Sequence, residues 1–117
     1  MRVDAFEFGR ITIDGVRYDH DVVVEGSRIR KRKKGPSKAR KEEFGHTPLT
    51  AAEAIPWSAP RLWIGTGAHG RLPVGEDLRE EALRRGIELL LRPTPELVKL
   101  INQGLPDGTS VILHVTC

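Results

Sequence analysis

Three glycines, Gly65, Gly67 and Gly70, stand in the stretch "LWIGTGAHGR" with the spacing G-x-G-x-x-G, directly after the apolar run Leu62-Trp63-Ile64. In a dinucleotide-binding turn such glycines allow a tight bend and close backbone approach to a pyrophosphate, held at the N-terminus of a helix that begins within the motif. That last requirement fails here. Arg71-Leu72-Pro73-Val74-Gly75 intervenes before the first good helical residue, so the helix starts too late to aim its dipole at phosphates beside residues 65–70. The position of an acidic ribose ligand, at the end of the next strand, reads Leu91-Arg92, and no second nucleotide half follows. No nucleotide cofactor is expected. The turn does end a strand at its carboxyl edge, where ligands of open α/β sheets collect. Gly65, Thr66, Gly67, His69, Gly70 and Arg71 therefore form one side of a candidate crevice for a small molecule or anion.

His46 and Thr47, in "GHTPLT", are candidates for its other side. Imidazole exchanges protons near neutrality, which suits a general base or a ligand-orienting group; the alternative is a histidine that hydrogen-bonds loop backbone and fixes the entry to the next element. His114 and Cys117 raise a Cys–His nucleophile, which needs a thiol within hydrogen-bond reach of an imidazole. Residues three apart on an extended chain face opposite sides, so direct pairing requires a turn at Thr116; otherwise both residues pack. His114 could also face the cleft of His46 or His69. Scattered histidines and one cysteine make no metal signature. No catalytic set, no metal site and no cofactor are expected.

The remaining chemistry is charge. Arg28, Arg30, Lys31, Arg32, Lys33, Lys34, Lys38, Arg40 and Lys41 fall within fourteen residues that contain no acid, whereas the whole chain carries a formal charge of +3. The protein is an acidic body with one basic segment. Such a segment can neutralise phosphates and bind nucleic acid weakly, but no aromatic residue interleaves it as a stacking platform and no recognition helix is evident. Pairing with the acidic body or with an acidic protein partner is the favoured reading. With Gly35-Pro36 in its middle and little apolar content, residues 27–45 read as a long mobile loop whose start could carry a strand. Deletion of residues 30–41 is expected to leave a folded domain.

The elements that position these groups follow from hydrophobic period and turn chemistry. Phe6, Phe8, Ile11 and Ile13 mark a first strand with a bulge or bend at Gly9, and Asp14-Gly15 turns it into a returning strand through Val16, Tyr18 and Val22 to Val24. Thr50-Ala51-Ala52-Glu53 reads as a capping box opening a short helix that Pro56 ends. A buried strand is expected over 61–66, a helix over 76–85 with Leu78, Ala82 and Leu83 inward, and a strand over 87–91. A helix with Thr94 as N-cap and Pro95 at its first position runs to Gly104, and a last strand covers 111–115. The order β-α-β-α-β from residue 61 implies parallel pairing.

A length of 117 residues suits one domain. No apolar stretch approaches a membrane span, and the opening "MRVDAFEFGRITIDG" is a strand pattern rather than a secretion signal or transit peptide. A cytoplasmic protein, with no membrane partner, is expected. Its single cysteine excludes an intrachain disulfide.

The phrases "ITIDGVRYDHDVVV", "GHTPLT", "LWIGTGAHGRLPV", "PELVKLINQG" and "ILHVTC", in this order across nearly the whole chain, resemble the Mth-domain family. That family includes small archaeal and bacterial proteins, the adipogenesis-associated Mth-domain protein of animals and a mitochondrial NADH dehydrogenase (complex I) assembly factor. The resemblance implies an archaeal or bacterial type member. It implies a single three-layer α/β domain over residues 1–117, with an N-terminal β-hairpin packed on the β-α-β-α-β unit and a mixed, largely parallel sheet. It brings no enzymatic activity and implies a protein-interaction or assembly-factor type of module that works with other proteins as a monomer or small homo-oligomer. Anion or small-molecule binding in the crevice, and weak nucleic-acid binding through the basic segment, are the alternatives.

Overall fold

The chain was analysed as a computed structural model, which describes all 117 residues except the side chains of Glu42 and Glu43. Its first strands, Val3–Glu7 (β1), Arg10–Ile13 (β2) and Val16–Tyr18 (β3), form a three-stranded antiparallel sheet. The change of period at Gly9 is a full turn rather than a bulge within one strand. Asp14-Gly15 closes the β2–β3 hairpin, as its sequence demands, but the returning strand is shorter than expected. Val22–Glu25 (β4) leaves the hairpin and joins a second sheet. The physical reason is burial: Val22, Val23 and Val24 are all buried, which requires cover on both faces, whereas Val16 and Arg17 of β3 are exposed.

The second sheet has the order β5-β4-β8-β6-β7, where β5 is Arg28–Lys31, β6 Arg61–Thr66, β7 Glu88–Arg92 and β8 Thr109–His114. Strand β6 pairs in parallel with both β7 and β8, while β4 pairs antiparallel with β8 and β5. The helices are Lys41–Phe44 (α1), Glu76–Arg84 (α2) and Thr94–Gly104 (α3). Period-2 alternation divides the core between the two faces of this sheet. Val22, Val24, Val111 and Leu113 pack with Leu97 and Ile101 of α3 and with Val3, Ile11 and Ile13 of the small sheet. Val23, Ile112, Leu62 and Ile64 pack with Leu78 of α2 and with Leu49, Ile55 and Leu72. The result is a three-layer α/β arrangement. Asn102 ties its first layer together, since its amide bonds both the N–H and the C=O of Val3 at 2.9 Å.

Four local expectations are corrected by tertiary packing. Residues 27–45 are not one loop: they contain β5, a 3-10 stretch Gly35–Arg40 and α1. Deletion of residues 30–41 would take away Arg32 and Ser37, which are buried. Thr50 to Glu53 forms a turn, not a helix, because Glu53 turns inward to a buried arginine instead of capping. Leu83 lies on the outer face of α2 and is 82% exposed. Thr94 opens α3 but makes no capping bond; its hydroxyl is used elsewhere. Among the described residues, no helix is long and apolar enough to cross a membrane.

Leu97, fully buried between α3 and the sheet, should be costly to truncate. Leu97→Ala is expected to lower the unfolding free energy by about 2–5 kcal/mol. Leu83→Ala should change it by less than about 0.5 kcal/mol. Urea denaturation of the two variants checks the assignment of faces.

Candidate functional site

The antiparallel register of β4 on β8, which sets Val22 opposite Leu113, brings the residue before β4 to the carboxyl end of β8. That residue is Asp21, and its two oxygens have different duties. Oδ1 accepts the Val115 N–H at 2.8 Å; Oδ2 meets His114 Nδ1 at 2.7 Å and accepts from Arg32 Nη1 at 3.0 Å. Arg32 in turn donates to both oxygens of Glu53 at 2.8 Å and to the Pro48 carbonyl at 2.9 Å. Ser37 donates to Glu53 at 2.5 Å and lies 2.7 Å from the Thr50 hydroxyl. The Arg32 and Glu53 side chains are only 2% and 3% exposed, so their charges are shielded from water and held by bidentate geometry.

Burial works against the Asp21 carboxylate, but the bonds and charge of His114, the Val115 N–H and Arg32 outweigh it and hold its pKa below the usual carboxylate value. Burial likewise opposes the Arg32 charge, and Glu53 with Asp21 overcomes it, raising its pKa. An ionised Asp21 can only accept, so His114 Nδ1 is the donor of this bond. His114 Nε2 then faces the Thr116 hydroxyl at 3.2 Å, and that hydroxyl lies 3.8 Å from Cys117 Sγ. On its other side Cys117 Sγ is 3.6 Å from His46 Nδ1. The chain therefore does turn after β8, and the cysteine reaches His114 through Thr116 while pairing directly with His46.

The glycine turn has a different occupant from the one its spacing suggests. The N–H of Ala68 donates to the Thr116 carbonyl at 2.9 Å, and those of His69 and Arg71 donate to the Cys117 carbonyl at 3.0 and 3.3 Å. Backbone donors that could cradle a phosphate are thus filled by the chain's own carbonyl oxygens. Thr94 seals the same junction: its hydroxyl donates to the His114 carbonyl at 2.7 Å and accepts the Gly67 N–H at 2.9 Å. A Cβ on Gly67 would lie 2.3 Å from the Thr116 carbonyl oxygen, and one on Gly65 2.7 Å from the Thr94 hydroxyl. These glycines exist for close approach within the protein, and α2 begins only after Gly75.

Two adjoining clefts open at this end of the sheet. One, of about 240 Å³, lies between Asp19, His20, Asp21, Lys31 and His114. The other, of about 190 Å³, is bounded by Lys34, Lys41, His46, Thr47, Leu72 and Cys117; Arg32, Lys34, His114 and Thr116 border both. The expected crevice is therefore only half assembled. His46 and Thr47 line it, Gly65, Thr66 and Gly67 are buried, and His69, Gly70 and Arg71 are exposed and absent from both linings. The His69 ring instead lies 6.3 Å from that of Phe8.

Of the basic residues, Lys34 and Lys41 belong to the second cleft and Lys31 to the first, while Arg32 is interior. Arg30 donates to the Ala54 carbonyl and Arg40 lies 3.4 Å from Asp77. Arg28, Lys33 and Lys38 are exposed and line neither cleft. Asp21, Glu53, Thr94 and Thr116 were not singled out from sequence as a set. The one signal that could have marked Asp21 is its place directly before the apolar run Val22-Val23-Val24.

No protein-family model and no curated protein matches the chain. Solved structures do. The conserved hypothetical protein PH1505 from Pyrococcus horikoshii is 28% identical with a TM-score of 0.80, the match covering 100% of both chains. The protein MT938 is 22% identical with a TM-score of 0.70, over 99% of this chain and 98% of that one. A Bordetella pertussis protein described as a Mth938-like domain is 18% identical with a TM-score of 0.60, over 97% of this chain and 85% of that one. The fold is Mth938-like. In this version of it, the junction of β8 with the glycine turn and the buried Arg32 cluster together build the two clefts.

Gly67→Ala places a methyl group against the Thr116 carbonyl at a φ of +105°. Strain and clash should cost about 1–3 kcal/mol and release residues 116–117, seen as loss of amide-exchange protection at Ala68 and His69. For Asp21, a lowered pKa means stability that is complete above the ordinary carboxylate value and lost as pH falls through the native one. Asp21→Asn should therefore cost on the order of 2 kcal/mol at pH 7 and flatten the decline of stability below about pH 4. Thermal unfolding across an acid pH series checks both.

Proposed function

We propose that this protein is a binding module whose recognition element is the basic cleft at the carboxyl ends of β6 and β8, and that it takes a small anionic ligand bearing a carboxylate or phosphate. One observation carries the reading. Lys34, Lys41, His46, Thr47 and Thr116 converge on the cleft beside Arg32, and among the described residues no carboxylate lines it. Such a wall offers the ammonium groups of Lys34 and Lys41 and hydroxyl donors to an anion. Its position at the carboxyl end of parallel strands is where open α/β sheets hold ligands. The backbone donors of the glycine turn play no part in this reading, because Thr116 and Cys117 already use them.

A protein-interaction or assembly-type role is the second reading. It rests on the fold resemblance, which is an analogy, and on Phe8, 62% exposed at the β1–β2 turn beside His69. A nucleic-acid role draws less support, since six of the nine cations of residues 28–41 are divided between an interior cluster, two clefts and local partners, and Arg28, Lys33 and Lys38 are the three left exposed outside them.

Titration of the protein with inorganic phosphate, followed by two-dimensional amide NMR, tests the main reading. Saturable shifts are expected at His46, Thr47 and Thr116, weakening as salt is added. The double variant Lys34→Gln, Lys41→Gln should lose at least about 1.4 kcal/mol, a tenfold drop in affinity. Linear shifts without saturation, or equal binding by the variant, would sink it.

A further inference from the structure

The five-stranded sheet has two edges, and they are defended differently. At one edge β5 carries Arg28, Arg30 and Lys31, like charges that repel a second strand of the same kind. At the other, β7 reads Glu88-Leu89-Leu90-Leu91-Arg92, with no proline, no lysine and one charge of each sign at its ends. Its three leucines are half-buried, and Glu88 and Arg92 are exposed. The Glu88 N–H donates to the Pro60 carbonyl at 3.0 Å, so the backbone of Glu88 faces β6. Strand alternation then turns the N–H and C=O groups of Leu89 and Leu91 to the open side. The free ladder stops on either side of these two leucines. The Ile87 N–H already bonds the Ala82 carbonyl, Pro93 has no N–H, and the Pro93 carbonyl accepts from Glu96 and Leu97. The Leu91 carbonyl accepts from Arg92 Nη1 at 2.8 Å, an exposed side chain that can be replaced. Glu88 lies 3.8 Å from Arg61, a loose and exposed pair that leaves its carboxylate able to reach outward.

We propose that β7 is a self-complementary edge on which a second copy of this chain docks, antiparallel, about a twofold axis through Leu90. In that register Leu89 lies opposite Leu91 of the second copy and exchanges both N–H···O=C bonds with it, and the twofold repeats the exchange. The outward groups of both leucines are all used, the Leu91 carbonyl passing from Arg92 to a backbone donor. Residues 88, 90 and 92 share one side-chain face, so Leu90 meets its own copy, Glu88 meets Arg92 of the second copy, and Arg92 meets Glu88. The smallest slip that still sets outward groups against each other loses both charge pairs. Charge complementarity therefore selects a register in which the free backbone groups also pair. The contact joins the two sheets edge to edge, at the side of each sheet away from β5, and does not depend on the anion-binding reading of the clefts. It is small, so the dimer is expected to dissociate on dilution.

Sedimentation velocity of the intact chain from about 20 μM to about 1 mM tests the proposal, with amide NMR spectra confirming that each variant is folded. The chain should pass from monomer towards dimer over this range, and the amide protons of Leu89 and Leu91 should gain exchange protection as concentration rises. Glu88→Arg sets arginine against arginine at both ends of the contact, and Arg92→Glu sets glutamate against glutamate. Each alone should weaken association at least about tenfold. Mixed in equal amounts, the two variants regain both charge pairs and should associate with each other as the unaltered chain does with itself. The double variant Glu88→Arg, Arg92→Glu should likewise dimerise alone. A monomer throughout the range, or a mixture no tighter than its components, would overturn the proposal. Self-association that survives both single reversals would put the contact on another face and overturn it equally.

Discussion

A guanidinium buried between two carboxylates is the constraint on which this structure turns. Arg32 sits just beyond β5, yet it bonds Asp21 before β4, Glu53 in the turn that follows Pro48, and the Pro48 carbonyl itself. Removing a single partner from such a cluster leaves an uncompensated charge away from water, which costs several kcal/mol. That penalty makes the cluster hold three chain segments, at Asp21, Arg32 and 48–53, in one arrangement rather than merely join them. It also fixes Asp21, and through Asp21 the ring of His114. The Val115 N–H and His114 Nδ1 hold the same carboxylate at the end of β8, and Arg32 ties that end to the turn at Glu53.

The other end of the same construction is the glycine turn after β6. Its spacing suits a phosphate cradle, and its backbone donors do cluster, but carbonyl oxygens of Thr116 and Cys117 fill them. The two halves of the site are therefore linked through the short segment after β8. The side chains of His114, Thr116 and Cys117 face the Arg32 cluster and His46, while the backbone of the last two is gripped by the turn. Thr94 adds a third grip from the start of α3. A segment held so closely from both sides presents its hydroxyl and thiol at defined positions, which is what a binding surface requires.

Much of the scaffold was legible along the chain. β6 appears where the unbroken apolar run predicted it, α2 and α3 begin and end within a residue or so of their acids, Pro95 and Gly104, and Asp14-Gly15 makes its hairpin. These features depend on neighbours within a few positions, where backbone preference and hydrophobic period carry the information. The misread elements share one cause. β4, Thr50 to Glu53, Thr94 and residues 27–45 each use a side chain or edge for a partner far away in sequence, and that partner overrides the local preference. Glu53 is the clearest case, with a capping pattern in its own segment and a bond of 2.8 Å to an arginine twenty-one residues away along the chain.

The same division separates what was known of the site. Residue types and order established that His46, Thr47 and a glycine turn were present and that the basic residues were concentrated in one segment. Which of them meet was decided by sheet register and by burial. Asp21 and His114 are ninety-three residues apart and become partners because β4 lies antiparallel on β8. Arg32 was one of nine similar cations until the cost of a buried charge drew it to Asp21 and Glu53. Local sequence specifies torsion angles and apolar faces; it carries no term for the neighbour across a sheet. That neighbour exists only once the layers have packed, and here it turns a scattered set of polar residues into a cleft.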